Sequence, residues 1–354
     1  MAEVVRVSFA RKGISTKAKA VLKRLFGIDE LPLAETTFEV ELKNVSTAVA
    51  SALRRTVIDE MQGCALRVPP DGVSFAETTE QYMLPPFISQ RISYIRLRSQ
   101  ISPDLIDNLE LELDVSNAEG GVPLSVYAGD MRVTKGSMPE PLFNPTTKIA
   151  VLQPGKCLVI RGIHITRGYG RAEAQYCVAN CAINRPLDIE EYSDAEMREE
   201  KGVAADWSGY KVSSLVSRPR HHLVRGILPA TAPIEAESRI VLIDACANVI
   251  SRLRKILGAV SGNELHGIRL TVAQLDGGLS QGTLLVPGET ATIGELLTRT
   301  IADMEKVAYV AHTASLSVTV NYAGDVAELI HKAIKAVIVT FEEIQAGISE
   351  TRRR

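Results

Sequence analysis

One stretch of this chain of 354 residues comes close to a phosphate-binding pattern. In VLQPGKC, residues 151–157, Gly155 and Lys156 stand where a phosphate-binding loop has its Gly-Lys pair. Such a loop also requires glycine at position 150 and a hydroxyl residue at position 157 to ligate magnesium, whereas the chain has Ala150 and Cys157. The pattern therefore does not favour a nucleotide-dependent enzyme, although a site near Lys156 stays an alternative.

The cysteines predict neither a metal site nor a disulfide framework. They are scattered along the chain, at Cys64, Cys157, Cys177, Cys181 and Cys246. No second pair and no nearby histidine joins Cys177 and Cys181 to complete a tetrahedral metal site. We expect buried strand cysteines that behave as small apolar residues, with no metal and no other cofactor.

The other titratable clusters have no catalytic spacing. His221 and His222 are adjacent, and Glu190, Glu191 and Asp194 lie in an acidic segment, but neither set resembles an acid–base pair. We expect these side chains to be solvated. No catalytic residue is predicted, which favours a structural or assembly subunit over an enzyme.

Composition limits the partners that the chain can hold by itself. The net charge is −2 and aromatic residues make up 5% of the chain, so a basic face with stacking rings is not predicted. A free-standing nucleic-acid-binding protein stays the main alternative to an assembly subunit. No run approaches the roughly 18 apolar residues of a membrane span, and the first residues do not resemble a signal peptide. We therefore expect an intracellular, soluble protein with no membrane partner.

A seven-residue motif occurs twice, far apart in the chain. ALRRTVIDEM (52–61) and LLTRTIADM (296–304) both read Leu-x-Arg-Thr-apolar-apolar-Asp when Leu53 is aligned with Leu297. These segments are called here the first copy and the second copy. Each copy is predicted to lie on an amphipathic helix, because the apolar residues around it recur at helical spacing.

The residues around the first copy predict a strand followed by a helix. TFEVELK (37–43) alternates apolar and polar residues, as a half-buried strand does. Asn44 or Ser46 is a suitable N-cap for the helix, which is expected to end near Gly63. This half closes with a strand at 221–228 and a long apolar helix.

The second copy is surrounded by the same order of elements. Strands are predicted at 268–272, 282–286 and 315–322. The helix that carries the copy is capped by Thr290 or Thr292, and a final helix is apolar along one stripe. Each unit has an apolar face too broad for its own sheet to cover, so the two units can bury these faces only against a partner.

We predict an α+β fold in which the two halves form an intramolecular dimer about a pseudo-two-fold axis. A glycine-rich linker within 257–267 would join them. The predicted interface consists of apolar residues of both halves: Leu53, Val57, Ile250, Leu253, Leu296, Leu297, Ile301, Ile334, Ile338 and Phe341.

The first half carries an insertion that the second half lacks. Between residues 64 and 187, prolines and glycines punctuate short apolar runs, which is typical of a strand-rich module. The predicted division is a first half of 1–63 and 188–258, an inserted strand-rich domain of 64–187, and a second half of 259–354.

Three segments resemble subunits of RNA polymerases. NVSTAVASALRRTVIDEM (44–61) resembles the first helix of the alpha-like subunits: bacterial alpha, archaeal D and the third-largest subunit of polymerase II. GYGRAEAQYCVANCAI (168–183) resembles the Gly-aromatic-Gly-Lys/Arg segment of the domain inserted in that family. LLVPGETATIGELL (284–297) resembles the small partner subunit, archaeal L or the eleventh subunit of polymerase II. Their fusion in one chain resembles the fused subunit of large cytoplasmic DNA viruses of the African swine fever group.

The resemblance implies a non-catalytic assembly scaffold of a viral DNA-directed RNA polymerase. The two largest polymerase subunits would dock on the paired halves, small adaptor subunits would be further partners, and nucleic acid would be held only indirectly, through the complex. The resemblance implies partner contacts at Arg54, Arg55, Gly168, Gly170 and Arg171. It also implies a location in the virion and host cytoplasm, with the host nucleus as an alternative.

Helical geometry bears on the arginine pair. Arg54 is expected on the flank of the apolar stripe and Arg55 nearly opposite it, so solvated arginines remain the alternative to a partner contact.

The second half departs from the small-subunit pattern at Ala291, Glu295 and the stretch 311–313, where the family has His, Asn and Pro-His-Pro. These departures bear on contacts of those side chains, not on the fold.

Overall fold

The computed structural model describes residues 1–11, 20, 23–24, 34–69, 73–74, 85–98, 101–138, 141–179, 181–187, 220–230, 234–262, 267–275, 277–313 and 316–350. Glu190, Glu191 and Asp194, which we expected to be solvated, lie outside these residues. Within the described ranges, no helix combines the length and apolar character that crossing a membrane requires.

The chain alternates short strands with a few long helices. The α-helices are α1 (Thr47–Arg55), α2 (Pro85–Ser93), α3 (Pro103–Asn108), α4 (Ile234–Val260), α5 (Ala291–Met304) and α6 (Val326–Glu350). The strands are β1 (Glu3–Arg11), β2 (Ala34–Lys43), β3 (Gln62–Arg67), β4 (Val73–Ser74), β5 (Glu110–Ser116), β6 (Leu124–Tyr127), β7 (Arg132–Lys135), β8 (Lys148–Leu152), β9 (Cys157–Tyr169), β10 (Cys181–Pro186), β11 (His221–Ala230), β12 (Arg269–Gln274), β13 (Ser280–Leu285), β14 (Tyr309–His312) and β15 (Ser317–Tyr322). This is a mixed α+β fold, as predicted.

Two four-stranded antiparallel sheets share one strand order. The first runs β1-β2-β11-β10 and the second runs β12-β13-β15-β14. Along the chain, β1-β2-α1 and β10-β11-α4 correspond to β12-β13-α5 and β14-β15-α6. Each strand of the first sheet therefore has a counterpart at the same place in the second.

Alternation along the strands explains how each sheet buries one face. On β2, Phe38, Val40 and Leu42 are fully buried while the residues between them are partly exposed. Val40 pairs with Val224 of β11. The edge strands β1 and β14 were not among the predicted elements.

The helices of the two sheets pack on one another. α1 contacts α5, α4 contacts α6, and α6 also reaches β1 at the other end of the chain. At that crossing the backbone approach is close, because a Cβ added to Gly347 would lie 2.7 Å from the Val4 side chain. One hydrophobic core consequently contains residues of both sheets and of α1, α4, α5 and α6.

The residues between α1 and β10 build a separate core. Their main sheet runs β3-β9-β5-β7, with β4 beside β9, and β6 pairs with β8. Its buried residues, from Leu66 to Ile165, form a cluster of their own. Strand β10 falls within the range predicted for the insertion, yet it pairs with β11 in the first sheet. Val178 and Ala179 likewise pack in the shared core, because the chain has already returned to the first sheet.

Candidate partner-docking surface

The first copy of the motif ends in a π-turn. Ser46 begins α1, and its Oγ accepts a hydrogen bond from the Val49 N–H at 3.4 Å. After Arg55 the chain widens into one π-helical turn, Thr56–Glu60, closed by the Met61 N–H donating to the Thr56 carbonyl at 3.2 Å. Such turns inside helices occur frequently at functional sites.

The insertion packs directly against this π-turn. The Arg171 N–H donates to the Asp59 carbonyl at 3.2 Å, and the Val178 N–H donates to the Ile58 carbonyl at 3.0 Å. A Cβ added to Gly170 would lie 2.9 Å from the Asp59 Cα, so only glycine allows this approach. The backbone of the insertion thus rests on the end of the first copy.

The partner residues suggested by the resemblance converge at this contact. Arg54 is half-buried and Arg55 is exposed, which fits their expected positions on the helix. The Arg171 guanidinium lies over the Tyr169 ring, 5.2 Å from its centroid. Gly168 lies on β9, where an added Cβ would lie 2.4 Å from the ring of Tyr176, so its backbone sits directly against that ring.

Asp59 is the acid at the centre of these three arginines. Its partial burial raises the pKa of the carboxyl, and the neighbouring Glu60 charge also raises it. Arg54, Arg55 and Arg171 act in the opposite direction, but the pKa remains above its ordinary value. The surface therefore combines three guanidinium groups with one carboxylate whose charged form is disfavoured.

A buried ion-pair network lies beneath this surface. Arg252 of α4 donates to Glu60 at 2.6 Å, to Glu289 at 2.6 Å and to the Thr290 hydroxyl at 2.7 Å. The Thr292 hydroxyl donates to the other oxygen of Glu60. Burial alone would lower the pKa of Arg252, yet the hydrogen bonds and charges of Glu289 and Glu60 raise it. The network joins the end of the first copy to the start of α5.

No sequence pattern predicts this network. Its members Glu60, Arg252 and Glu289 lie far apart in the chain and match no short motif. The sole local signal is Arg252 itself, a charged residue between the buried Ile250 and Leu253 of a long apolar helix. A cavity of about 360 Å³ lies above it, with Arg54, Arg55 and Thr292 in its wall.

All ten residues predicted for the interface between the halves are buried in the shared core. Their exposures range from 0% to 7%. They are Leu53 and Val57 of the first copy, Ile250 and Leu253 of α4, Leu296, Leu297 and Ile301 of α5, and Ile334, Ile338 and Phe341 of α6.

The incomplete phosphate-binding pattern lies in a turn between strands of two different sheets. Gly155 has a φ of 73° in the turn between β8 and β9, and its N–H donates to the Asn117 carbonyl at 3.0 Å. No helix begins after Lys156, so the backbone arrangement of a phosphate-binding loop is not formed.

The expectation that both adjacent histidines are solvated was wrong for His222. This side chain is fully buried, because its strand turns that side toward the core, while His221 contacts Glu41 at 2.8 Å.

The expectation that the cysteines are buried on strands was wrong for Cys246, which is buried on a helix. Burial raises the pKa of its thiol to about 12. Cys64, Cys157 and Cys177 are only partly buried. In the described residues no group of three or more His, Cys, Asp or Glu side chains could hold a metal ion.

Comparison with known proteins identifies relatives along nearly the whole chain. A DNA-directed RNA polymerase RPB3-11 homolog of African swine fever virus, strain Badajoz, is 31% identical over 345 residues, which cover 94% of this chain and 93% of the relative. The homologs of a tick isolate from South Africa and of a warthog isolate from Namibia are each 30% identical, with the same coverage. No family model matches the chain.

Proposed function

Because the chain belongs to the family of RPB3-11 homologs, DNA-directed RNA polymerase subunits, we propose that it is the non-catalytic scaffold on which the polymerase assembles. Its partners are then other polymerase subunits, and the two largest, catalytic subunits dock on it. Small adaptor subunits bind elsewhere on the chain, and nucleic acid is held only through the complex. The single observation that carries the proposal is that Arg54 and Arg55 line one cavity with Asp59, whose carbonyl accepts the backbone N–H of Arg171.

The proposal includes an intramolecular dimer. Two sheets with one strand order, joined by contacts between α1 and α5 and between α4 and α6, support a pseudo-two-fold arrangement of the halves. From the strand pairing we place the first half at 1–61 and 178–260, the insertion at 62–177, and the second half from 267 onward. This division differs from the predicted one in assigning β10 to the first half.

The docking surface comprises Arg54, Arg55, Gly168, Gly170 and Arg171. Arginines on a rigid helix suit interface recognition, because the guanidinium group donates two parallel hydrogen bonds to a carboxylate. Gly170 lets the insertion approach the π-turn, and Gly168 lies against the ring of Tyr176 within the insertion, so their contribution is to the shape of the surface. For a viral polymerase, the location would be the virion and host cytoplasm, with the host nucleus as an alternative.

The experiment compares Arg54 and Arg55 with a second pair of basic residues. Arg54→Ala with Arg55→Ala should leave the thermal unfolding of the isolated chain nearly unchanged, within about 0.5 kcal/mol, because substitutions outside the core seldom cost more. In the same variant, the free energy of association with the two catalytic subunits should weaken by about 2–5 kcal/mol, since acids of the partner would be left unpaired. Co-purification of the subunits detects this loss.

The matched control is Arg132→Ala with Lys135→Ala, two exposed basic residues of β7 on the insertion. This variant should melt and assemble like the wild-type chain. Equal assembly by both double variants would show that Arg54 and Arg55 are solvated and would contradict the docking role.

A further inference from the structure

The helices that carry the two copies, α1 and α5, line one groove with equivalent residues. The central groove, about 490 Å³ in volume, lies between α1 and α5. α1 contributes positions from Thr47 to Arg55, and α5 contributes positions from Ala291 to Arg299. In the motif alignment Arg55 is equivalent to Arg299, and Ser51 is equivalent to Glu295. Equivalent faces of α1 and α5 therefore line the same groove.

The two arginines lie at opposite ends of the central groove. The end of the first copy meets the start of α5, where Thr292 donates to Glu60. The end of α5 meets the start of α1, because Asp303 pairs with Arg220 at 3.1 Å and the Arg220 carbonyl accepts from the Val45 N–H at 3.2 Å. The helices are thus antiparallel, and eight residues of helix separate the two ends by about 12 Å.

The charges of the central groove are not balanced within it. Among the residues that the structure describes, neither Arg55 nor Arg299 makes an ion pair within 4 Å, although Arg55 acts electrostatically on Asp59. Glu295 is exposed, one helical turn after Ala291 and one before Arg299, and so lies midway along the groove. His312 completes the wall. The order of charges along the groove is therefore positive, negative, positive.

We propose that the central groove binds an extended segment of a catalytic polymerase subunit in which an acid, a base and an acid occupy alternate residues. This inference rests on the proposed scaffold function. An extended chain rises about 3.3 Å per residue, so acids four residues apart span about 13 Å and share one face with the base between them. The acids then pair with Arg55 and Arg299, and the base pairs with Glu295.

The walls of the central groove suit the narrow backbone of an extended segment. The small side chains of Ala48, Ser51 and Ala291 give the walls room for a backbone. Because α1 and α5 supply opposite ends, the segment is held only when both copies are packed together.

The test uses the full chain and the two purified catalytic subunits of the same polymerase. Arg299→Glu places an acid opposite an acid and should weaken their association at least about 30-fold at low salt. Glu295→Lys should weaken it as well, because the base of the segment then meets a like charge. Arg269→Glu, the same change at an exposed arginine of β12, is the control and should bind like the wild-type chain. Thermal melts of each isolated variant separate lost binding from lost folding.

Each outcome is decisive. Wild-type association by Arg299→Glu, or by a Glu295→Lys chain that melts normally, would overturn the groove assignment. If Arg54→Ala with Arg55→Ala abolishes association while Arg299→Glu does not, the groove assignment fails and the scaffold function stands. If the wild-type chain does not bind the catalytic subunits, both fail. Loss in Arg299→Glu and Glu295→Lys, with normal melts and an unchanged Arg269→Glu, supports the proposal.

Discussion

Leu53 of the first copy and Leu297 of the second hold equivalent positions, and both side chains are fully buried. Val57 and Ile301, one turn later, are fully buried as well. The residues that follow differ. The first copy opens into the π-turn and continues with the buried Glu60, whereas α5 stays α-helical to Met304, which is 40% exposed.

The acids that end the two copies have different partners. The backbone of Asp59 receives the insertion through Arg171, and its carboxyl lies among three arginines. Asp303 instead pairs with Arg220, the residue before β11. A repeated helix thus keeps the residues that pack against its twin, while the exposed residues differ according to the segment that each copy touches.

The largest expected effect tests the shared, buried side of the copies. Leu53→Asp and Leu297→Asp each place an unpaired charge in the shared core, so each should lower the free energy of unfolding by at least about 3 kcal/mol. Denaturant unfolding, or loss of soluble protein, would measure this effect.

Val339→Asp, at a 50% exposed position of α6, serves as the control and should change stability by less than about 0.5 kcal/mol. If one leucine variant were as stable as this control, the two leucines would not contribute equally to the stability of the shared core.

The next effect tests the network that distinguishes the first copy. Arg252→Ala leaves Glu60 and Glu289 without their shared cation in a largely buried site, at a cost of about 3–5 kcal/mol. Arg254→Ala removes a pair with Glu342 of equal length, 2.6 Å, but with side chains 63% and 42% exposed. That variant should lose less than about 1 kcal/mol because water screens the exposed charges.

Urea unfolding of the two arginine variants measures the difference directly. Similar midpoints for Arg252→Ala and Arg254→Ala would mean that the network does not hold the first copy to α5.

The smallest effect is the pH dependence contributed by Asp59. Its pKa is raised in the folded chain above 3.8, so the folded state binds its proton more tightly than the unfolded state does. The stability from this group is full at pH values below 3.8 and is lost as the pH rises through the raised pKa. Asp59→Asn should therefore gain stability relative to the wild-type chain as the pH rises from about 4 to 7.

Urea unfolding of both chains at a series of pH values would reveal this trend. A constant difference between wild type and Asp59→Asn across the series would mean that burial does not disfavour the charged carboxyl.

Periodicity predicted most of the elements near the two copies. The strand at 37–43 lies within β2, and Ser46, one of the two suggested caps, begins α1. The long apolar stripe of α6 was also predicted, because core-facing residues must recur at helical spacing. The strand β1 was missed although Val7 and Phe9 alternate on it, since a shift in register between Val4 and Arg6 interrupts the alternation.

Other features depend on contacts that no short window contains. The π-turn follows a regular helical pattern in the sequence, and the insertion that packs on it arrives more than a hundred residues later, at Gly170 and Arg171. The buried state of His222 depends on which face of β11 meets the core. One residue of shift in the register would have reversed that face.

The sequence by itself determined the repeated order of elements, the apolar positions of both copies and the family resemblance. The first two follow from local spacing, because burial on one face of a helix or strand fixes a period along the chain, whereas the resemblance rests on the likeness of three motifs. The tertiary structure decided that Arg252 meets Glu60 and Glu289, and it placed Arg55 and Arg299 at opposite ends of one groove. Charge pairing acts over a few ångströms in space, and residues distant in the chain reach that separation only once both halves are packed.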